Sequence, residues 1–441
     1  RKKPQSKASF KYIYSDFSAE PQSRFNSVQE KQALNIVMAN SLSNDPDAES
    51  IGSSDEETEV FLNEADVLHQ IDVNDDDIDY TAEDSDSEMQ DMETEDGLPD
   101  DSIKICDAHS DEVYAVACSP IDPSLIATGG ADDTIYIWRI DQLWSLKLEG
   151  HTDSVLTLAF SNDGSFLASG SFDGTVRIWE PNTGTLKHIL EGPEKDNEIE
   201  WVKWHPRGHI VLAGSQDSTI WMWNGDKGTY LNCFTGHGRN VSCGDFTPDG
   251  KLICSASGDA TLRIWNPKNG ETLYVVRDYP YHTEAITCMG LSLDSSLAIT
   301  GSTDGSIRMV NISTGKVVSS LSSHTDSVEC VAFSQSFPWV ASGSLDKKLI
   351  IWDVQHSSVR CTCHNESGVT CMAWVGPSRY IASGGQDGGV RVWDSLSGEC
   401  VKTFSGHRSS VTAVIVSSSC KFLVSASAEG LVRVFDISPF M

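Results

Sequence analysis

The chain has little positive charge and no long apolar run. It contains 32 Lys and Arg against 64 Asp and Glu, for a formal net charge of −32 at pH 7. Because nucleic-acid binding requires a basic surface that neutralises phosphates, this composition argues against a direct nucleic-acid partner. No run of about 18 apolar residues could span a bilayer, and no N-terminal apolar stretch resembles a signal peptide. We therefore expect no membrane association.

The 12 cysteines lack regular Cys-x-x-Cys pairing. Cys361-Thr362-Cys363-His364 resembles half of a zinc site, but no second half follows at a suitable spacing. We expect no metal and no cofactor, and we interpret the cysteines as reduced thiols that act as small core residues. Reduced thiols predict an intracellular protein, in the cytoplasm and with the nucleus as a second compartment.

Acidic residues are concentrated ahead of residue 102. Residues 45–101 carry 24 Asp and Glu and no Lys or Arg, whereas residues 1–44 have seven basic and three acidic residues. A segment this polar buries too little apolar surface to offset its ordering entropy, so we predict that the acidic tail, residues 38–101, is disordered. The first Met is Met38, and residues 1–37 are interpreted as a disordered leader that is not native.

From Ser102 onward the chain repeats. Short β-branched runs bounded by Asp-Gly and Thr-Gly turns recur. In each unit, the third of these runs ends with an aromatic or apolar residue at an equivalent position. These closing residues lie 41, 44, 42, 45, 42, 41 and 42 positions apart, at Trp138, Trp179, Trp223, Trp265, Val310, Trp352, Trp393 and Phe435. A period of about 40–45 residues with four short strands is that of a propeller blade. The sequence therefore predicts an all-β, eight-bladed β-propeller over residues 102–441.

Five units share a His, a Ser or Thr, an Asp and a Trp in one register. The His ring would donate one hydrogen bond to the Asp carboxylate and form a second with the Ser or Thr hydroxyl. That hydroxyl would in turn accept a hydrogen bond from the indole N–H of Trp, so every buried polar group would have a partner. Hydrolases also use Ser, His and Asp, but a nucleophile needs one copy and an oxyanion site, not five copies. We therefore predict structural tetrads and no enzyme activity. The predicted tetrads are His109, Thr128, Asp132, Trp138; His151, Ser169, Asp173, Trp179; His237, Ser255, Asp259, Trp265; His324, Ser342, Asp346, Trp352; and His364, Ser383, Asp387, Trp393.

The ring also has to close. The last unit ends after its third strand, whereas the strand-like run Ser102–Cys106 precedes the first unit and belongs to none. We predict that this run completes the last blade, which would remove the exposed edge of its sheet.

The motifs resemble those of the WD40 repeat family. Units open with Gly150-His151 or Gly236-His237 and close with Trp352-Asp353 or Trp393-Asp394, and the resemblance covers residues 102–437. It implies a disc with a central channel and protein partners on one of its faces.

The third unit has a narrower resemblance. Residues 201–207, Leu212-Ala213-Gly214 and Trp221-Met222-Trp223 are similar to the third repeat of the angio-associated migratory cell protein family. Yeast relatives of that family are dedicated chaperones of a newly made, basic large-subunit ribosomal protein, universal protein sixteen. The animal relatives are linked to cell migration.

The predicted partner site is an acidic rim on the side of the disc that bears the His residues. Residues flanking the first core residue of each inner strand, and residues near the turn Asp, would face the channel mouth. An acidic ring with some apolar contacts suits a Lys- and Arg-rich peptide, and we expect a monomeric propeller. The family resemblance implies that this peptide belongs to a basic large-subunit ribosomal protein and that the propeller acts as its chaperone and assembly factor. The alternatives are an ordinary solvated acidic rim and a general scaffold in signalling, migration or trafficking. The candidate binding residues are Glu112, Tyr114, Asp133, Asp153, Phe172, Glu198, Glu200, Glu284, Asp326, Glu329 and Glu366.

Overall fold

Thirty-two strands form eight antiparallel four-stranded sheets in the part of the chain that the structure describes. The structure is a computed structural model, and it describes residues 99–192, 197–277 and 281–441. The predicted leader, residues 1–37, and residues 38–98 of the predicted disordered tail lie outside this part. Within it, no helix is long and apolar enough to cross a membrane.

Seven blades are built from four consecutive strands, and the eighth takes its outer strand from the start of the repeat region. In blade order, the strands are β2 Val113–Cys118, β3 Leu125–Gly130, β4 Ile135–Arg139, β5 Ser145–Leu148; β6 Val155–Phe160, β7 Leu167–Ser171, β8 Thr175–Glu180, β9 Thr185–Glu191; β10 Ile199–Trp204, β11 Ile210–Ser215, β12 Ile220–Asn224, β13 Thr229–Phe234; β14 Cys243–Phe246, β15 Ile253–Ala256, β16 Leu262–Trp265, β17 Thr272–Val276; β18 Ile286–Leu291, β19 Leu297–Ser302, β20 Ser306–Asn311, β21 Lys316–Ser322; β22 Val328–Phe333, β23 Trp339–Ser344, β24 Lys348–Asp353, β25 Ser358–His364; β26 Val369–Trp374, β27 Tyr380–Gly385, β28 Val390–Asp394, β29 Cys400–Phe404; and β30 Val411–Val416, β31 Phe422–Ser427, β32 Val432–Asp436 with β1 Lys104–Cys106.

Burial along each blade follows strand position. The second strands, such as β7, are buried on both faces, whereas the outer strands, such as β9, are largely exposed. The Asp-Gly turns between strands need a left-handed residue, and Gly164 and Gly174 supply it at φ 69° and 76°. Every blade therefore presents its inner strand to the centre and its outer strand to solvent.

The predicted closure of the ring is confirmed. Strand β1 pairs antiparallel with β32, with Lys104 opposite Val434 and Cys106 opposite Val432. Each inner strand also contacts the inner strand of the next blade, and β30 of the last blade contacts β2 of the first. The segment before β1 is held by an ion pair between Asp100 and Arg433.

The hydrophobic core lies between blades. One cluster joins Ile137 of the first blade to Leu167 and Trp179 of the second, and another joins Cys106 and the eighth blade to the first. A single blade cannot bury both of its faces alone, so stacking of neighbours supplies most of the apolar burial.

Candidate functional site

The repeated His, Ser and Asp side chains form buried hydrogen-bonded sets within single blades. His151 Nδ1 lies 2.8 Å from Asp173 Oδ2, and its Nε2 lies 2.7 Å from Ser169 Oγ. Trp179 Nε1 donates to the same hydroxyl oxygen at 2.9 Å. Burial lowers the pKa of His151. Burial alone would raise the pKa of Asp173, but the hydrogen bond from His151 lowers it. The pair is therefore a neutral imidazole that donates to a carboxylate.

Three further blades have the same bonds. The indole nitrogen lies 2.8–2.9 Å from the hydroxyl oxygen, and the hydroxyl oxygen lies 2.7–2.9 Å from the imidazole Nε2. The hydroxyl-bearing residues are fully buried. A hydroxyl in this setting is not presented to a substrate, which supports a structural role. The three sets are His109, Thr128, Asp132 and Trp138; His237, Ser255, Asp259 and Trp265; and His324, Ser342, Asp346 and Trp352.

The prediction that His364 belongs to the tetrad of the seventh blade is wrong. His364 is the last residue of β25, and it is exposed. The next residue, Asn365, stands 22 residues before Asp387, the same interval as from His151 to Asp173. Asn365 is 8% exposed, and its side-chain nitrogen and oxygen have no hydrogen-bond partner among the described residues. The sequence-based register was therefore one residue too early in this blade.

An arginine replaces the missing imidazole in the seventh blade. Arg391 Nη2 lies 2.6 Å from Asp387 Oδ2 and 3.3 Å from Glu366 Oε2, and Arg391 is buried. Trp393 Nε1 still donates to Ser383 Oγ at 2.9 Å. The corresponding Asp in the tetrad-bearing blades is bound by His instead.

The fifth blade compensates for the loss of its Trp. Val310 stands at the Trp position and its side chain has no hydrogen-bond donor, but the Tyr281 hydroxyl lies 2.9 Å from Thr300 Oγ1. His282 Nε2 lies 2.8 Å from the same oxygen. A residue just before the inner strand thus replaces one on the third strand.

The third blade is tied to both neighbours by tryptophans of its inner strand. Trp201 Nε1 donates to Val241 O, ahead of the fourth blade's inner strand, at 2.9 Å. Trp204 Nε1 donates to Ala159 O of the second blade at 2.8 Å. These bonds between blades stabilise the one blade that lacks both the His and the hydroxyl of a tetrad.

A β-bulge near the start of most inner strands changes the direction of one side chain in each of these strands. In seven of the eight inner strands, the pairing with the second strand shifts by one residue at the second position. A bulge residue is unpaired and its side chain is turned relative to the ladder. The strict period of two used to predict the rim does not include this shift. The bulge residues are Tyr114, Leu156, Glu200, Thr287, Glu329, Thr370 and Thr412.

Bulge hydroxyls link successive blades. Thr370 Oγ1 donates to Val411 O at 2.6 Å, and Thr412 Oγ1 donates to Val113 O at 2.5 Å. A carboxylate cannot donate such a bond. Glu200 of the third blade and the equivalent Glu329 of the sixth therefore act as acceptors at this level of the ring.

Three predicted carboxylates form one electrostatic cluster. Burial raises the pKa of Glu200 to about 7; the hydrogen bond from Asn240 opposes this shift and the charge of Glu198 adds to it. Burial and then the charge of Asp153 raise the pKa of Glu198. Asn240 Nδ2 lies 3.3 Å from Glu200 Oε1. The cluster spans the second to fourth blades. Ionisation of Glu198 and Glu200 in this setting costs free energy, because burial and the neighbouring negative charges disfavour the carboxylate form.

A second group lies at the first blade and a third at the sixth. Burial, followed by the charge and hydrogen bond of Glu112, raises the pKa of Tyr114. The Oε2 atom of Glu112 is buried without a hydrogen-bond partner among the described residues. At the sixth blade, Ser327 Oγ donates to Glu329 Oε1 at 2.8 Å.

The remaining predicted residues lie in the loops and turns on the same side. Asp153, Glu284 and Asp326 are exposed in the loops that precede inner strands, and Asp133 and Phe172 are partly exposed in turns after second strands. Glu366 is exposed and paired with Arg391. Within residues 99–192, 197–277 and 281–441, no three His, Cys, Asp or Glu side chains are grouped to hold a metal ion.

Comparison with known proteins shows the family. Eight segments match the WD domain, G-beta repeat, at residues 100–139, 143–180, 184–224, 228–266, 273–311, 315–353, 356–394 and 398–436. The angio-associated migratory cell protein of Canis lupus familiaris is 30% identical over 357 residues, which cover 77% of this chain and 80% of that protein. The chain belongs to the WD40 repeat family and, within it, to the angio-associated migratory cell protein family. The Homo sapiens member is 29% identical over 357 residues, 77% of this WD40 chain and 81% of its own length.

Solved structures of similar fold include Sqt1 from Chaetomium thermophilum. It is 26% identical to this chain with a TM-score of 0.71, and the match covers 77% of this chain and 100% of that one. A second structure of that protein is bound to the N-terminus of the ribosomal protein L10, again at 26% identity, with a TM-score of 0.70 and the same coverage.

Several residues of this WD40 propeller were not predicted from its sequence. Asn240, Tyr281 and Asn365 each lie in a loop before an inner strand, and Arg391 lies on a third strand. Asn365 could have been found by counting 22 residues back from Asp387. The contact of Asn240 with Glu200 joins positions 40 residues apart and has no local signal.

Proposed function

We propose that this propeller binds a basic polypeptide segment through its acidic rim and acts as a chaperone and assembly factor for a basic large-subunit ribosomal protein. The ligand would contribute Lys and Arg side chains, and the rim would contribute the carboxylates of Glu198, Glu200 and Glu329. Charge-assisted hydrogen bonds would supply affinity, and the negative potential of the rim would accelerate encounter.

The observation that carries this proposal is the cluster of Asp153, Glu198 and Glu200. The pKa of each glutamate is raised because burial and a neighbouring negative charge disfavour ionisation. An incoming guanidinium or ammonium group would offset both effects at once. In an ordinary solvated rim, we expect carboxylates to be exposed and spread apart, because clustering and burial both raise the free energy of their ionised forms.

The similarity to Sqt1 supports the choice of partner. That protein has been solved with the N-terminus of the ribosomal protein L10, and its fold matches 77% of this chain. The N-terminal segment of the ribosomal protein L10 is therefore the ligand to test first. The acidic net charge of this chain suits such a partner.

The test is calorimetric titration of the full chain with a synthetic peptide of the L10 N-terminus. A triple variant, Glu198→Lys, Glu200→Lys and Glu329→Lys, should raise the Kd at least about tenfold, because attraction is replaced by repulsion. The matched control reverses three exposed charges in turns between third and fourth strands, Asp141→Lys, Glu271→Lys and Glu399→Lys. Equal Kd values for the two triple variants would disprove the assigned site.

Affinity purification at low and high salt separates the proposal from a general scaffold. Recovery of a basic ribosomal protein that salt releases supports a chaperone, because screening weakens contacts between exposed charges. Partners in signalling, migration or trafficking that are neutral or acidic and insensitive to salt support the scaffold. We further propose that the protein acts without catalysis, as a monomer, in the cytoplasm and the nucleus.

A further inference from the structure

The inner strands of the third, fourth and fifth blades line a partly open cavity that carries two opposite charges. Its volume is about 220 Å³, and its lining includes Trp201, Lys203, Asp245, Met289 and Leu291. All the lining residues belong to β10, β14 and β18. The cavity is therefore part of the wall of the central channel, and the acidic candidates of the rim do not line it.

The two charges are not required by the fold. At the same register of the inner strand, opposite the second strand, the other six blades have apolar residues. Only the third and fourth blades have charged side chains there, Lys203 and Asp245. The apolar residues are Ala117, Ala159, Gly290, Ala332, Ala373 and Ile415.

Lys203 and Asp245 interact through their charges but form no direct ion pair among the described residues. Within the same part of the chain, the Asp245 carboxylate accepts a hydrogen bond only from the adjacent Phe246 backbone N–H, at 2.7 Å. Burial raises the pKa of Asp245, and the charge of Lys203 opposes this shift. A partly buried carboxylate that no direct ion pair neutralises costs free energy, which a bound ammonium group would offset.

We propose that this cavity binds a single zwitterionic α-amino acid with an apolar side chain. The ammonium group would bind Asp245, and the carboxylate would bind Lys203. A simple cation would be repelled by Lys203 and a simple anion by Asp245, so a ligand with both charges fits the pair best.

The rest of the lining sets the size and polarity of the ligand. Trp201 Nε1 already donates to Val241 O, so its ring offers only an apolar surface, and Met289 and Leu291 add to it. Sites for larger ligands have volumes of roughly 300–1,000 Å³. The smaller cavity matches the size of one amino acid.

The experiment screens the twenty L-amino acids against the full chain by thermal unfolding, followed by calorimetric titration. We expect L-leucine or L-methionine to raise the Tm by roughly 2 °C at ten times its Kd. Leucinamide lacks the carboxylate and N-acetylleucine lacks the ammonium group, so each should bind at least tenfold more weakly than L-leucine. Asp245→Asn and Lys203→Met should each weaken binding at least tenfold, whereas the exposed Glu399→Gln, on the seventh blade, should not.

The proposal is overturned if no amino acid raises the Tm, or if leucinamide and N-acetylleucine bind as well as L-leucine. If Asp245→Asn fails to fold, Lys203→Met serves as the test, because Lys203 is exposed to solvent. Unchanged amino-acid binding in Lys203→Met also overturns the site. Titration with the L10 peptide is independent of this outcome, because the cavity and the rim use different residues.

Discussion

The stability of the third blade should depend on the absence of a side chain at Gly244. A Cβ at Gly244 would lie 2.3 Å from Cζ2 and 2.4 Å from Cη2 of Trp201. The indole is confined, because a Cβ at Gly214 would lie 2.3 Å from its Cε2 and Nε1 atoms and its Nε1 donates to Val241 O. Gly244→Ala therefore overpacks the contact between blades, and we expect it to lower the free energy of unfolding by about 3 kcal/mol.

A double-mutant cycle tests this reasoning. Trp201→Ala removes the buried ring and one hydrogen bond and should cost about 4–5 kcal/mol. In the double variant the added methyl group enters space that the indole has left, so Gly244→Ala should cost nothing further, a coupling of about 3 kcal/mol. Equilibrium unfolding in guanidinium chloride measures all four proteins. Gly208→Ala, where a Cβ would contact nothing within 4 Å, is the control. Costs that add to within about 0.5 kcal/mol would refute the proposed contact.

Three further outcomes are expected. Deleting residues 102–107 removes β1 and exposes the edge of the eighth blade, which should cost about 3 kcal/mol or more, and an unchanged Tm would contradict ring closure by this strand. Burial alone would lower the pKa of His209, but hydrogen bonds to Asp226 and Asp163 raise it overall. The contribution of His209 to stability is therefore complete below its unfolded pKa and is lost as pH rises through its folded pKa. In urea titrations, His209→Gln should lower the free energy of unfolding by up to ~1 kcal/mol at pH 5.5 and by little at pH 8.5. The effect is small because the partner carboxylates are half exposed. Because the pKa of Glu200 is raised to about 7, affinity for the basic L10 peptide should fall severalfold from pH 8 to pH 6, and Glu200→Gln should flatten this dependence; an unaltered pH profile would remove Glu200 from the site.

The overall fold follows from local patterns in the sequence. Asp-Gly turns, β-branched runs and a period near 42 residues each depend on a few neighbouring positions, so they predict the blades and their number. The fixed spacing from Ser169 to Asp173 and Trp179 predicts the hydrogen-bonded sets for the same reason, because a turn of constant length holds these positions in register. The sequence also predicts that Ser102–Cys106 is the closing strand, because the last unit contains only three strands and this run belongs to no other unit.

The candidate rim could be predicted only in part. Its acidic residues are visible in the sequence, but which of them share one environment is set by bulges and by contacts between blades. Strict alternation does not include the bulge at Glu200, and its partner Asn240 belongs to the loop of the next blade. Whether these residues bind a partner stays a prediction.

The sequence by itself determined the repeat, the strand pattern, the ring closure and four of the five predicted tetrads, because these depend on short-range spacing and on the need to pair buried polar groups. Only the tertiary structure decided how irregular blades are stabilised: Tyr281 replaces an absent Trp, Arg391 replaces an absent His, and Trp201 fills the space over Gly244 of the next blade. Such substitutions join positions that are close in space but distant or irregularly spaced in the chain. No local pattern encodes them, since it is packing between neighbouring blades that brings the groups together.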